Sequence, residues 1–211
     1  MKKAISILGI VLCSTLAFAQ KNQIAFYAGL EMQPALTKYK PAISVNGRSY
    51  IDEHWSFGAS ISYTTEKHNQ NFGYRAYRTR SNHTTINFLA QNDLIRNETL
   101  FLSAFVSSGL YRLILVNPDE YTLEETYSEI DGVWHVYQEE VPRKLQRDLY
   151  FNLQTGLDFS VKLATVPNQD FSIYLTSRAS YQFVPGKKDL SKNNQFSQPI
   201  ISIGVTLKGY K

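Results

Sequence analysis

Residues 55–65, WSFGASISYTT, alternate without a slip. Trp55, Phe57, Ala59, Ile61 and Tyr63 take one parity; Ser56, Gly58, Ser60, Ser62 and Thr64 take the other. Period two is the mark of a strand whose faces meet different surroundings. The polar parity identifies them. In a soluble barrel that face meets water and carries Lys, Glu and Gln over an apolar lumen. Here it holds only Ser, Gly and Thr, which suit a crowded interior, so the large apolar side chains must face outward.

Two later stretches repeat the arrangement. Phe171, Ile173, Leu175, Ala179, Tyr181 and Phe183 alternate with Ser172, Tyr174, Thr176, Arg178, Ser180 and Gln182. Leu149, Phe151, Leu153, Leu157, Phe159 and Val161 are set against Asn152, Gln154, Gly156, Asp158, Ser160 and Lys162. Polar inside and apolar outside is the membrane-barrel pattern. At about 3.3 Å per residue and a tilt of about 40°, Phe171 and Phe183 stand roughly 30 Å apart along the membrane normal, enough for the apolar band and its aromatic girdles.

Alternation bounded by turn residues predicts eight strands, near 23–31, 41–50, 55–65, 83–94, 100–116, 147–163, 170–184 and 198–210. No sustained helical period competes, so the class is all-β. The connections at 51–54, 96–98 and 165–169 are short, whereas those at 32–40, 66–82, 117–146 and 185–197 are longer. In an up-and-down meander with both termini on one side, the short turns collect at one end and the long loops at the other. Outer-membrane barrels sort their loops in this way. The expectation is an eight-stranded antiparallel up-and-down transmembrane β-barrel.

The opening MKKAISILGIVLCSTLAFAQ places Lys2 and Lys3 before an apolar run from Ala4 to Leu16 and an Ala17-Phe18-Ala19 site. This reads as a signal peptide over 1–19, cut before Gln20, with the barrel domain over 20–211. The single cysteine, Cys13, falls inside the leader, so disulfides and thiolate chemistry are not expected of the mature chain. Removing Lys2 and Lys3 from 22 Lys and Arg leaves two more cations than the 18 Asp and Glu. That is no basis for nucleic-acid binding.

Asp131-Gly132 favours a two-residue hairpin turn. Carried down the ribbon, this register sets Glu129 opposite Trp134, Thr126 opposite Tyr137, Tyr127 opposite Val136, Leu153 opposite Leu110, Leu157 opposite Val106 and Phe159 opposite Ala104. It turns Leu102, Ala104, Val106, Leu110 and Ile114 outward, and Ser103, Phe105, Ser107, Gly109 and Tyr111 inward.

With leader, strand count and loop rhythm in view, the chain resembles the small eight-stranded outer-membrane β-barrels of Gram-negative bacteria, the type of OmpX and of the OmpA transmembrane domain. The stretch PAISVNGRSYIDEHWSFGASISY is most similar to the versions found in Bacteroidota. The closing PIISIGVTLKGYK is similar to the strand read by the barrel-insertion machinery, although Gly209-Tyr210-Lys211 replaces the usual terminal aromatic. The resemblance implies the cell outer membrane as location. It implies outer-membrane lipid, including lipopolysaccharide, and the insertion machinery during assembly as partners.

The inward charges Arg48, Asp93, Asp158, Lys162, Arg178 and Lys208 read as a salt-bridged plug rather than a channel lining, because eight strands leave room only for side chains. Asp158 and Arg178 are the expected buried pair. His54, His68, His83 and His135 show no metal-ligand spacing and no cofactor is expected. His83-Thr84-Thr85 has Thr where the His-x-Ser pair of outer-membrane lipid A deacylases has Ser, and its parity turns it inward. Arg112 has outward parity near the outer end, placed either to meet lipopolysaccharide phosphates or to snorkel.

Residues 117–142 hold eight carboxylates and no Lys or Arg, whereas Lys67, Arg75, Arg78 and Arg80 and then Lys187, Lys188 and Lys192 make the neighbouring loops basic. The hairpin residues Tyr121, Tyr127, Trp134, Tyr137, Glu139 and Glu140 are the candidate surface for a protein partner, with Trp134 and Tyr137 expected to present apolar area flanked by carboxylates. Three functions stay open: a non-enzymatic barrel acting through its loops by binding, adhesion or complex formation; a narrow channel or lateral portal; and a lipid A-modifying enzyme.

Overall fold

The computed structural model describes residues 23–130, 133–166, 171–186, 190–191 and 195–210. The leader over 1–19, Cys13, the Asp131-Gly132 turn and Lys187, Lys188 and Lys192 lie outside these, as do the side chains of 126–130 and 133–135. The elements are β1 (Gln23–Pro34), β2 (Tyr39–Tyr50), β3 (Trp55–His68), β4 (Thr79–Arg96), β5 (Leu100–Ile130), β6 (Val133–Thr165), β7 (Phe171–Phe183) and β8 (Gln198–Tyr210). Each pairs antiparallel with the next, and β1 pairs with β8 to close an eight-stranded up-and-down barrel.

Burial alternates along the walls as the parities require. In β3, Ser56, Gly58, Ser62 and Thr64 are buried while Trp55, Phe57 and Tyr63 are exposed. Leu175, Ile201, Ile203, Val205 and Leu207 continue the exposed apolar surface around β7 and β8. Such an exterior is stable in hydrocarbon, where closure leaves no backbone group unpaired. The chain is therefore a transmembrane barrel of the outer-membrane type, with short turns periplasmic and long loops outside.

Two girdles bound the apolar belt. Trp55 and Phe57 stack at 6.3 Å between ring centroids at the short-turn end. At the other end Tyr39 donates to Pro199 O at 2.9 Å, Tyr181 to Ser197 O at 3.1 Å and Tyr63 to Asn82 Oδ1 at 3.3 Å. The phenols point from lipid toward the polar rim, as amphipathic rings at an interface do.

The short turns are built by side-chain caps. Asp52 Oδ1 accepts the amides of His54 and Trp55, and Asn97 Oδ1 accepts those of Thr99 and Leu100. Such Asx contacts satisfy a tight turn without a glycine. On the inner wall, Gly29 and Gly204 stand opposite each other. A Cβ on either would run into the Tyr27 side chain.

Strands β3 to β6 run longer than the sequence predicts. The expected loop at 66–82 shrinks to 69–78, and His68 ends β3 instead of lying in a loop. In the ribbon the expected register holds, with Glu129 opposite Trp134 and Thr126 opposite Tyr137. In the barrel wall it does not: Leu153 pairs with Ser108, Leu157 with Ala104 and Phe159 with Leu102. Irregularities at Leu115/Val116 and between Asn117 and Tyr121 intervene. The net slip is two residues, and an even slip leaves every face unchanged.

Candidate functional site: the sealed lumen and the outer hairpin

The interior is filled in three storeys. Nearest the periplasm, Asp93 accepts hydrogen bonds from Tyr50 at 3.0 Å, Ser103 at 2.7 Å and Lys208 at 3.1 Å. The Lys208 ammonium also lies 3.8 Å from the Phe101 ring centroid and 4.2 Å from that of Tyr50. Arg48 is buried beside them. Only about 10 Å³ of free space remains between these groups, scarcely room for one water.

Above them Arg178 meets Asp158 through two hydrogen bonds of 2.6 and 2.7 Å, with side chains 4% and 2% exposed. The guanidinium lies 4.4 Å from the Phe105 ring centroid and 5.3 Å from that of Tyr27. Fork-to-fork geometry is the strong form of such a pair, and the flanking rings present their faces to the cation.

The third storey has no counterpart in the alternation pattern. Leu36, Tyr111, Leu113, Leu115, Tyr150, Val184 and Phe196 form a buried apolar cluster at the long-loop end, with Phe72, Tyr74, Leu145 and Leu190 packed against it. Tyr111 and Phe196 are 4.8 Å apart at their ring centroids. Loop residues are tied in: Glu66 accepts the amide and hydroxyl of Thr37, and Gln195 donates to Leu36 O. At this level the outward positions of β4 to β6 turn polar, while the inward ones mix Leu113 and Leu115 with Ser81, His83 and Asp148. Arg80, Asn82, Arg112 and Arg147 take the outward positions. Charged side chains on the outward parity are costly in hydrocarbon, so their first appearance marks where the wall leaves the membrane core.

Beside the cap, at the level of Leu113 and Leu115, runs a hydrogen-bonded chain that no sequence motif announces. His68 Nε2 is 2.8 Å from Ser81 Oγ, which is 2.9 Å from His83 Nε2; His83 Nδ1 is 2.6 Å from the Tyr111 hydroxyl. Glu66 lies 3.8 Å from His68, on the same ring nitrogen that faces Ser81. A nucleophile needs a base oriented by an acid through its other nitrogen, and a path for substrate. Ser81 has neither, being fully enclosed.

Lys162 departs from its expected place. It is half-buried and lines a vestibule of about 810 Å³ at the periplasmic mouth with Gln23, His54, Arg96 and Tyr174. The irregularity at Lys162/Ala164 sets it at the strand end, below the plug. Conversely Glu31, Glu66 and Asp148 are buried inside; their parity with neighbouring inward residues was the available signal.

Beyond the wall, β5 and β6 continue as a two-stranded ribbon. Tyr121 is 60% exposed, Leu123 63%, Val136 56% and Tyr137 47%. Pairing puts Tyr121, Leu123, Val136 and Glu140 on one face and Tyr137 and Glu139 on the other. The side chains of Tyr127 and Trp134 lie outside the described residues.

The ribbon's carboxylates are partly engaged. Arg78 donates to both Asp119 oxygens, the shortest contact being 2.6 Å, while Arg143 holds Glu120 at 2.7 Å and Lys144 holds Glu124 at 2.5 Å. The hydrogen bond from Arg78 keeps the Asp119 carboxyl below its ordinary range. Lys144 also offsets the facing of Glu124 and Glu139, like charges directly opposite across the ribbon.

No protein-family model and no curated protein sequence matches the chain. Among solved structures it is similar to Ail of Yersinia pestis, in complex with the heparin analogue sucrose octasulfate, at 13% identity and TM-score 0.42 over 88% of this chain and 95% of that one. It is also similar to the N-terminal β-barrel domain of Pseudomonas aeruginosa OprF, at 13% identity and TM-score 0.40 over 89% and 98%. Neisserial surface protein A follows at 12% and 0.38 over 90% and 95%. Strand order and closure are read from this chain's own pairing.

Proposed function

We propose that this protein is a non-enzymatic outer-membrane barrel that works by binding at its extracellular ribbon, residues 117–142, with the barrel as a closed anchor. The observation that carries the reading is the contrast between a lumen packed in three storeys and a ribbon that leaves Tyr121, Leu123, Val136 and Tyr137 in water. Exposed aromatic and aliphatic side chains among carboxylates suit a partner surface that is basic and amphipathic. The phrasing of 41–63 supports a Bacteroidota-type envelope, and a leader over 1–19 supports export.

Replacing residues 118–142 by Asn-Gly tests it. The new turn would join Asn117 to Arg143, which are already cross-strand partners. The shortened barrel should assemble in membranes as before and lose the partners retrieved by the full protein. Retrieval of the same partners by both forms would overturn the role assigned to the ribbon.

A further inference from the structure

We infer that the outward face of β3 to β6, immediately above the tyrosine girdle, is a docking surface for the phosphate groups of outer-leaflet lipid. The pairing lays out this face as a grid. Its lowest row is Tyr63, Thr84, Arg112 and Leu149; the next is Thr65, Asn82, Ile114 and Arg147. The uppermost row carries Lys67 directly opposite Arg80. Below the grid comes the apolar row Ile61, Ile86, Leu110 and Phe151. Cations thus begin at the line where the wall stops being hydrocarbon-like.

Four of these cations lack a counter-ion. Arg78, Arg143 and Lys144 are held by carboxylates of the ribbon, but Lys67, Arg80, Arg112 and Arg147 have no ion-pair partner among the described residues. The acids adjacent to Lys67 and Arg147 in the chain face away: Glu66 and Asp148 are buried in the lumen, where they bond to Thr37 and to Gln146 and Tyr150. Arg80 Nε is enclosed with no hydrogen-bond partner. Like charges directly opposite destabilise a sheet, so the Lys67–Arg80 pair calls for an anion.

The occupant follows from place and size. Strand spacing and rise make the grid roughly 14 Å wide and 13 Å tall, broad enough for two phosphate groups on one headgroup or on neighbours. Guanidinium forks match phosphate oxygens bidentately, and the apolar row beneath takes the acyl chains. The inference needs only the membrane placement, so it stands or falls separately from the role of the ribbon.

The test uses the full mature barrel folded into phosphatidylcholine vesicles, with or without a minor fraction of bis-phosphorylated lipid A, and reads the temperature at which the folded form is lost. Lipid A should raise it in the wild type, and added salt should abolish the rise. R112Q/R147Q should lose most of the rise, whereas K38Q/R75Q, which removes two loop charges, should keep it. Lipid A stripped of phosphate should give none. An equal rise in R112Q/R147Q, a rise that survives salt, or a rise with dephosphorylated lipid A would overturn the inference. The same rise from inorganic phosphate in plain phosphatidylcholine would assign the cations to a soluble anion and overturn the lipid assignment.

Discussion

Asp158 on β6 and Arg178 on β7 stand directly opposite one another, and the guanidinium gives both its parallel hydrogen bonds to that single carboxylate. Each is enclosed by other side chains, so neither charge has water to fall back on. Removing one partner, as in Asp158→Asn or Arg178→Met, should cost about 3–5 kcal/mol, because the survivor is left buried and unpaired. Replacing both together, as in D158L/R178M, should cost clearly less. Urea titration of the barrel in lipid vesicles measures all three variants; a double variant no more stable than the singles would contradict the pairing.

Lipid-face substitutions should follow depth. Leu175→Arg and Ile61→Arg lie within the apolar belt, and each should destabilise by about 2–4 kcal/mol if near the midplane. Arg147→Leu, above the tyrosine girdle, removes a charge from the headgroup level and should change stability little in phosphatidylcholine vesicles free of lipid A. The same titrations check the order, and equal costs at the two levels would misplace the membrane boundary.

The apolar cap should behave as a small hydrophobic core. Phe196 is buried against Tyr111, Tyr150 and His83. Phe196→Ala should cost about 3–5 kcal/mol by transfer and cavity terms and should speed amide exchange in β5 near Leu113. Unchanged exchange there would mean that the cap does not pack as described.

Acid should loosen the base of the ribbon. Asp119 has its folded-state pKa depressed by the Arg78 hydrogen bond. Its contribution is therefore present above the ordinary carboxylate value of 3.8 and is lost as pH falls through the lower folded-state value. Protease cleavage near Pro118 should rise across that window in the wild type, while Asp119→Asn should cleave readily at every pH. A flat profile in both proteins would remove the ion pair as the tether.

How far the sequence could be read depended on parity. A period-two pattern fixes the face of a residue but not its partner, which is why Leu157 was assigned to the outer face correctly and to Val106 wrongly; it pairs with Ala104. The irregular stretch between Leu115 and Tyr121 could not be counted from the turn, and only its even net slip kept the faces intact. Asp158 and Arg178 were legible because the connection between their strands is short, leaving little room for register error. His68, Ser81 and His83 were not, since strand β3 had to extend past Thr65 before His68 could face Ser81. The cap was invisible for another reason. Leu36 and Phe196 come from connections without periodicity, and only their meeting with Leu113 and Leu115 makes a core.

The central claim is that the barrel is sealed and acts at its outer surface. Single-channel recording from the purified wild-type protein in planar bilayers tests it most directly. With Asp93 and Lys208 bonded across the lumen, the Arg178 guanidinium reaching the Tyr27 and Phe105 rings, and Phe196 packed above, no stable conductance steps should appear. Reproducible open-channel current from the wild-type protein would contradict the account.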